Sequence, residues 1–257
     1  MRRIILLNII LLAVTVIYSQ EDTVKFKYYG FEFFSYYDTS KFCSEFKVTE
    51  KGKLIYKDTC TDRVISINSF NLKDEDNKQL VIDYFTGGAH CCFYTFIGEI
   101  QNNKFKIIDS IFWGNGGYEM KDLDNDGVME IVGSSDIFAY AFTNYAETRF
   151  PTVIYKYKNG KIKVINKEFP EIIEKEIKEN KADAEDFVKK GYESPKNDTD
   201  DTFNTDAGSL KTILAPIVAD YYSLGRVKEG YDFVEKMYKC PDKEKYINTL
   251  KKDFKFK

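Results

Sequence analysis

The stretch that organises the chain is Asp122-Leu123-Asp124-Asn125-Asp126-Gly127-Val128-Met129-Glu130-Ile131-Val132. Carboxylates alternate with other residues, and Gly127 permits a sharp turn before an apolar strand. Four carboxylates so close together repel one another unless a cation lies between them. Hard oxygen ligands in a flexible loop suit Ca²⁺ better than Mg²⁺. The predicted ligands are the side chains of Asp122, Asp124, Asp126 and Glu130 and the carbonyl of Val128. The alternative is an acidic β-turn without an ion.

The spacing excludes one common calcium loop and resembles another. An EF-hand needs a glutamate at its twelfth position and a helix on each side. Here the twelfth position is Gly133, and residues 129–132 are strand-like. The stretch resembles the calcium loop of FG-GAP/VCBS-type repeats, as in the integrin α-chain head. The resemblance covers about residues 70–167 and implies a calcium ion that ties the strands of a β-sheet blade together.

A second copy of the stretch begins 51 residues upstream, at Asn71. Asn71 takes the place of Asp122, and Gln79 takes the place of Glu130. The strand residues match, but the ligand positions carry Asn, Lys, Glu and Gln. Lys73 supplies an internal positive charge. We therefore expect this copy to need no ion.

Three hairpins repeat with turns at Gly52, Asn103 and Gly160. A period near 50 residues is typical of propeller blades or comparable sheet repeats. Three units are too few for a closed propeller, which needs about four. The sequence therefore predicts an α+β protein: antiparallel sheet repeats in a partial, propeller-like assembly, followed by a helical C-terminal region.

The hydrophobic period changes to helical spacing from Pro170 onward. Asp220–Tyr231 resembles one tetratricopeptide-type helix-turn-helix, in which Gly225 ends the first helix. The predicted organisation is a signal peptide (1–19), an antiparallel β domain (20–168), a helical segment (169–190), a mobile acidic linker (191–208) and a helical C-terminal region (209–257).

The first residues predict export. Arg2 and Arg3 precede a short apolar run, 4–17, and Ser19 offers a cleavage site, which together are typical of a secretory signal peptide. The run is short for a membrane span, and no later stretch could cross a membrane. The formal net charge is -3, and loss of the two arginines makes it more negative. We therefore expect a periplasmic or secreted protein that binds no nucleic acid.

Five cysteines in an exported chain tend to be oxidised. A three-residue loop in the first hairpin would place Phe46 opposite Tyr56, as the hydrophobic pattern favours. A two-residue loop would place Cys43 opposite Cys60, and a bulge would reconcile the two. We predict a Cys43–Cys60 disulfide. Neighbours on a regular strand point to opposite faces, so Cys91 and Cys92 should reach different partners, one of them Cys240.

His90, Cys91, Cys92 and Trp113 form a possible functional cluster. A Cys-His pair can provide an activated nucleophile or help to hold zinc. The structural alternative is a disulfide beside a hydrogen-bonded histidine, and the absence of a second histidine favours it.

The resemblance implies an exported, non-enzymatic binding or adhesion module with a structural calcium site and a protein or glycan ligand. The alternatives are a Cys/His-dependent enzyme or thiol-redox protein using His90 with Cys91 or Cys92, and an envelope scaffold or inhibitor.

Overall fold

The computed structural model describes residues 22–73, 78–88 and 91–257. The predicted signal peptide, 1–19, and His90 lie outside the described residues. The predicted α+β class is confirmed: in the described residues, three four-stranded antiparallel sheets precede four α-helices. The strands are β1 Thr23–Tyr28, β2 Phe31–Asp38, β3 Cys43–Glu50, β4 Lys53–Thr61, β5 Arg63–Phe70, β6 Gln79–Phe85, β7 Phe93–Gln101, β8 Lys104–Gly114, β9 Tyr118–Lys121, β10 Glu130–Ser134, β11 Thr152–Lys158 and β12 Lys161–Val164. The helices are α1 Pro170–Lys190, α2 Asp206–Ser223, α3 Val227–Met237 and α4 Lys243–Lys252.

Each sheet is a meander in which strands pair in chain order. Sheet A contains β1–β4, sheet B β5–β8 and sheet C β9–β12. The third and fourth strands of every sheet are joined by two residues with positive φ, which is the backbone of a type I′ turn. These turns are Lys51-Gly52, Asn102-Asn103 and Asn159-Gly160, so the repeated hairpins occupy equivalent places in the three sheets.

Of the two registers that the sequence left open for the first hairpin, the one with a two-residue loop is observed, and the pairing contains bulges. Glu50 pairs with Lys53 across a two-residue turn, and Val48, not Phe46, faces Tyr56. A type I′ turn matches the twist of the flanking strands, and this preference outweighs the simple hydrophobic pattern. Irregularities in the β3–β4 pairing restore the apolar face by placing Tyr56 beside the buried Val48.

The three sheets and the helices form successive layers. Phe33 and Val48 of sheet A pack with Leu80 and Ile82 of sheet B. The opposite face of sheet B packs on sheet C through side chains that include Val81, Ile97, Ile131 and Val153. Sheet B is therefore covered on both faces, which explains why β6 is an almost continuous buried run. The described residues contain no closed barrel or propeller.

The helices cover the outer face of sheet C. Ile154 of β11 lies in one core with Ile173 of α1 and Leu214 of α2. Residues 191–205 connect α1 to α2 without a helix or strand. They are attached to the sheet region because the Asn204 side chain accepts the N–H of Asn144 at 2.6 Å. No helix among residues 22–73, 78–88 and 91–257 is long and apolar enough to cross a membrane.

Candidate cation-binding loop

The acidic stretch forms the connection between β9 and β10 in sheet C. The carboxylates of this loop accept hydrogen bonds from the loop's own backbone N–H groups. Asp122 accepts the N–H groups of Asp126 at 3.1 Å and Gly127 at 3.0 Å, and Asp126 accepts that of Val128 at 2.7 Å. Gly127 has φ +84°, a conformation that L side chains rarely adopt. The sequence therefore fixes a turn that gathers the acids on one side.

Three of the five predicted ligands converge. Asp122, Asp124 and Glu130 each offer one oxygen, and these oxygens lie within 4.8 Å of one another. Glu130 is fully buried, and its Oε2 accepts the N–H of Leu123 at 2.9 Å. A set of carboxylate oxygens fits a hard cation such as Ca²⁺. Asp126 is not part of this group, although it lies close to the same lysine as Asp124 and Glu130. The Val128 carbonyl stays a predicted ligand.

That lysine, Lys156 on β11, is a residue that sequence reasoning missed. Its Nζ lies 2.6 Å from Glu130, 2.9 Å from Asp126 and 3.2 Å from Asp124. Burial disfavours the ammonium, but these carboxylates outweigh that effect, and the pKa of Lys156 is raised. Glu130 Oε1 accepts no hydrogen bond of normal geometry, so its short contact with Lys156 is ionic. Pairing of Ile131 with Tyr155 brings this lysine beside the loop.

The upstream copy has the same buried anchor. Leu72 donates its N–H to Gln79 Oε1 at 2.8 Å, as Leu123 does to Glu130. Gln79 and Glu130 are both buried. The neutral amide therefore takes the structural role of the carboxylate in the copy that was predicted to need no ion.

The two copies also share an ion pair with reversed charges. Lys73, which aligns with Asp124, pairs with Glu99 on β7. When the hairpin turns are aligned, Glu99 corresponds to Lys156. Aligning the turns as well as the loops would therefore have located Lys156 from the sequence. Lys73 forms an ion pair with Glu99, whereas Lys156 lies close to Asp124, Asp126 and Glu130.

Asn71 joins the two loops. Its side-chain amide donates to the Gly127 carbonyl at 2.7 Å, and its backbone carbonyl accepts the N–H of Met129 at 2.8 Å. Because Asn71 follows β5 of sheet B, the acidic loop is hydrogen-bonded to the neighbouring sheet. A change in the loop's charge would therefore affect the junction of sheets B and C.

The second predicted cluster is not assembled as expected. Cys91 and Cys92 are bonded to each other, and neither reaches Cys240, which is buried and lies 3.6 Å from the Tyr192 hydroxyl. The expectation of opposite faces was wrong because β7 begins at Phe93, so these residues precede the regular strand.

Trp113 belongs to the core. It is 2% exposed, donates its Nε1 hydrogen to Thr95 Oγ1 at 2.9 Å and stacks on Tyr118 at 5.0 Å. Cys43 and Cys60 are free thiols in hydrogen-bond contact, which raises the pKa of Cys43. Their disulfide stays a prediction.

No protein-family model matches the chain. The chain is similar to a probable thylakoid lumen protein of Synechocystis sp. (strain PCC 6803), with 27% identity over 178 residues, 64% of this chain and 46% of the relative. It is also similar to an uncharacterized protein of Sinorhizobium fredii, with 32% identity over 78 residues, 30% of this chain and 12% of that protein. The matches thus span less than half the length of either relative.

Proposed function

We propose that the chain is an exported, non-enzymatic binding or adhesion module, in which a structural Ca²⁺ ion stabilises the junction of sheets B and C. The observation that carries the calcium proposal is the convergence of Asp122, Asp124 and Glu130 in a loop that is hydrogen-bonded to the neighbouring sheet. Export is supported by the signal-like first residues and by the similarity to a probable lumen protein.

The charge balance favours an additional cation despite Lys156. The loop and the first residue of β10 bring four carboxylates, whereas Lys156 supplies one positive charge. The remaining negative charge is concentrated around the buried Glu130. A divalent ion would relieve this repulsion, and Lys156 would compete with it for Asp124 and Glu130.

The sheet order supports a partial, propeller-like assembly. Each sheet is a four-stranded meander, and each packs its face on the next. Propeller blades have four strands and pack in this manner. The resemblance of the acidic loop to FG-GAP/VCBS repeats agrees with this architecture.

A cleft of about 530 Å³ at the junction of sheets A and B is the proposed place for a protein or glycan ligand. Phe42 in its lining is 81% exposed, and the Arg63 guanidinium lies 5.1 Å from the centre of the Tyr37 ring. Exposed aromatic rings beside polar groups suit sugar stacking and protein contacts. On a glycan array, Phe42→Ala should lose the signals of the wild type. Retention of all signals would move the ligand site elsewhere.

The calcium proposal is tested by thermal unfolding of metal-stripped protein. A ligand that binds only the native state at a hundredfold excess over its dissociation constant adds about 2.7 kcal/mol to the free energy of unfolding. Millimolar Ca²⁺ should therefore raise the melting temperature, and a chelator should reverse the increase. Asp124→Ala should abolish the response. Identical melting of the wild type with and without Ca²⁺ would leave the loop as an acidic turn.

Two controls separate calcium binding from general charge effects. Asp198→Ala removes an exposed acid far from the loop in sequence and should keep the full response. Lys73→Ala should lower stability, because Glu99 loses its partner, but should leave the increment from Ca²⁺ unchanged.

The rival hypothesis of a Cys/His-dependent enzyme needs a thiolate at Cys91 or Cys92. Those residues are bonded to each other, which leaves neither of them as a free thiolate for nucleophilic catalysis.

A further inference from the structure

An open cavity of about 570 Å³ lies where sheet C meets the helical layer. Its lining includes three large hydrophobic side chains that remain exposed to solvent: Ile137 at 43%, Val164 at 57% and Tyr222 at 44%. Cavities of this size, with apolar walls and a few polar groups, are typical of small-molecule sites. The acidic loop and its proposed ion play no part in this cavity.

Two lysines are the charged groups that a molecule in this cavity can reach. Lys167 and Lys257 both line it, and both are exposed. Neither forms an ion pair with another residue in the part of the chain that the structure describes, and the acid next to Lys167, Glu168, is already paired with Lys158 at 2.6 Å. A Cβ at Gly225 would lie 3.2 Å from Lys167 Nζ, so this ammonium group lies over the turn between α2 and α3. An anion in the cavity would be attracted to both lysines.

The acid in the lining does not oppose an anion. Asp220 on α2 is 1% exposed, and both of its carboxyl oxygens are enclosed by protein. Burial, and then the charge of Glu176, raise the pKa of Asp220 to about 9. This carboxyl is therefore protonated near neutral pH and adds no negative charge to the cavity.

We propose that this cavity binds an alkyl carboxylate, with its head group at Lys167 and Lys257. The alkyl chain covers the exposed side chains of Ile137, Val164 and Tyr222. Burial of this apolar surface contributes affinity, and the ammonium groups select the head group, because a carboxylate accepts their hydrogen bonds. A cavity that was apolar alone would prefer an uncharged head, since a carboxylate costs more to remove from water.

The probe is octanoate, titrated into the full chain by isothermal calorimetry at pH 7 in low salt. 1-Octanol and octylamine have the same number of carbons and carry a neutral and a cationic head. We expect saturable binding of octanoate that is at least about threefold tighter than that of the alcohol and that weakens as salt is added. Octylamine should bind most weakly. Absence of octanoate binding, or equal or tighter binding of the alcohol or the amine, would overturn the proposal.

Lys167→Gln removes the charge and keeps most of the length of the side chain. The variant should bind octanoate about fivefold more weakly and should bind 1-octanol as the wild type does. Lys178→Gln is the matched control, because Lys178 is also exposed but lies on α1 outside the lining. Unchanged octanoate binding by Lys167→Gln, or an equal loss in both variants, would overturn the assignment of the head group.

Val164→Ser tests the apolar wall. It should weaken octanoate and 1-octanol by the same factor, because both lose the same contact. Leu54→Ser is the control, since Leu54 is 50% exposed on β4 and lies outside the lining. Both side chains are largely exposed, so both variants should fold. Octanoate binding that is unaffected by Val164→Ser would overturn the proposal, as would sedimentation of the chain with phosphatidylglycerol vesicles without any binding of octanoate.

Discussion

At the scale of single residues, the electrostatics of the acidic loop depend on Lys156. The acids, the turn glycine and the buried anchor Glu130 could be predicted from local spacing, because they lie within nine positions. Lys156 could not be predicted from that window. It is 26 residues further along the chain than Glu130 and reaches the loop only through the pairing of β10 with β11.

Replacing Lys156 by Met should make the protein dependent on calcium. Removal of one partner from a buried ion pair costs about 3–5 kcal/mol, and Glu130 here is fully buried. Without metal, Lys156→Met should therefore melt well below the wild type. Millimolar Ca²⁺ should restore more stability to the variant than it adds to the wild type, as measured by chemical denaturation.

Lys158→Met is the matched control. Lys158 lies two residues away on the same strand and pairs with the exposed Glu168 at 2.6 Å. An exposed pair contributes at most about 1 kcal/mol, so its loss should be small and indifferent to calcium. Equal calcium increments in Lys156→Met and in the wild type would show that Lys156 and the ion do not compete.

The oxidised protein should contain a Cys43–Cys60 disulfide. The two thiols already lie in hydrogen-bond contact on adjacent strands, and closing their loop should stabilise the fold by about 3 kcal/mol. Non-reducing peptide mapping should find both in one linked peptide. Cys240, which is 3% exposed, should react with iodoacetamide only after unfolding. Recovery of Cys43 and Cys60 in separate unlinked peptides would reject the pairing.

At the scale of elements, the glycine that ends a helix was a more reliable basis for prediction than the alternation of apolar and polar side chains along a strand. Gly225 was predicted to end a helix, and α2 ends at Ser223 with Leu224 as its C-cap. The N–H of Gly225 bonds to the Tyr222 carbonyl at 2.9 Å and that of Arg226 to the Tyr221 carbonyl at 2.7 Å, which is a Schellman motif. In the first hairpin, hydrophobic alternation favoured a three-residue loop, but the structure has the two-residue loop that the cysteine positions favoured, together with bulges.

Gly225→Ala should lower the free energy of unfolding by about 1 kcal/mol, because Gly225 has φ +77° and alanine is strained there. Chemical denaturation monitored by circular dichroism measures the change. Gly117→Ala is the control, since a Cβ at Gly117 meets nothing within 4 Å and its φ is not positive. A loss at Gly117 as large as that at Gly225 would contradict the backbone explanation.

At the scale of the whole molecule, the sequence predicted which repeats exist but not how they stack. The period near 50 residues corresponds to three sheets of four strands. The layer order depends on faces that only the assembled sheets define: β6 gives Leu80 and Ile82 to one core and Val81 to another. The cavity beside Asp220 also escaped prediction, because its walls come from sheet C, the helices and the last residues.

The buried Asp220 should make the stability of the whole chain decrease as pH rises. Its pKa is raised to about 9 in the folded state, by burial and by the charge of Glu176, and is about 3.9 in an unfolded chain. Between these values the folded state holds a proton that the unfolded state releases, so the free energy of unfolding falls with increasing pH. Each pKa unit corresponds to at most about 1.4 kcal/mol. Asp220→Asn removes this dependence.

We therefore expect Asp220→Asn to gain stability relative to the wild type as pH rises from 4 to 8. Urea denaturation at pH 4, 6 and 8 measures the difference between the two proteins. An asparagine at this position also lacks partners, which shifts the difference by a constant at every pH and leaves its slope intact. Asp232→Asn, exposed on α3, should show no such slope. A difference between Asp220→Asn and the wild type that stays constant from pH 4 to pH 8 would mean that Asp220 is ionised in the folded protein, with a partner that balances its charge.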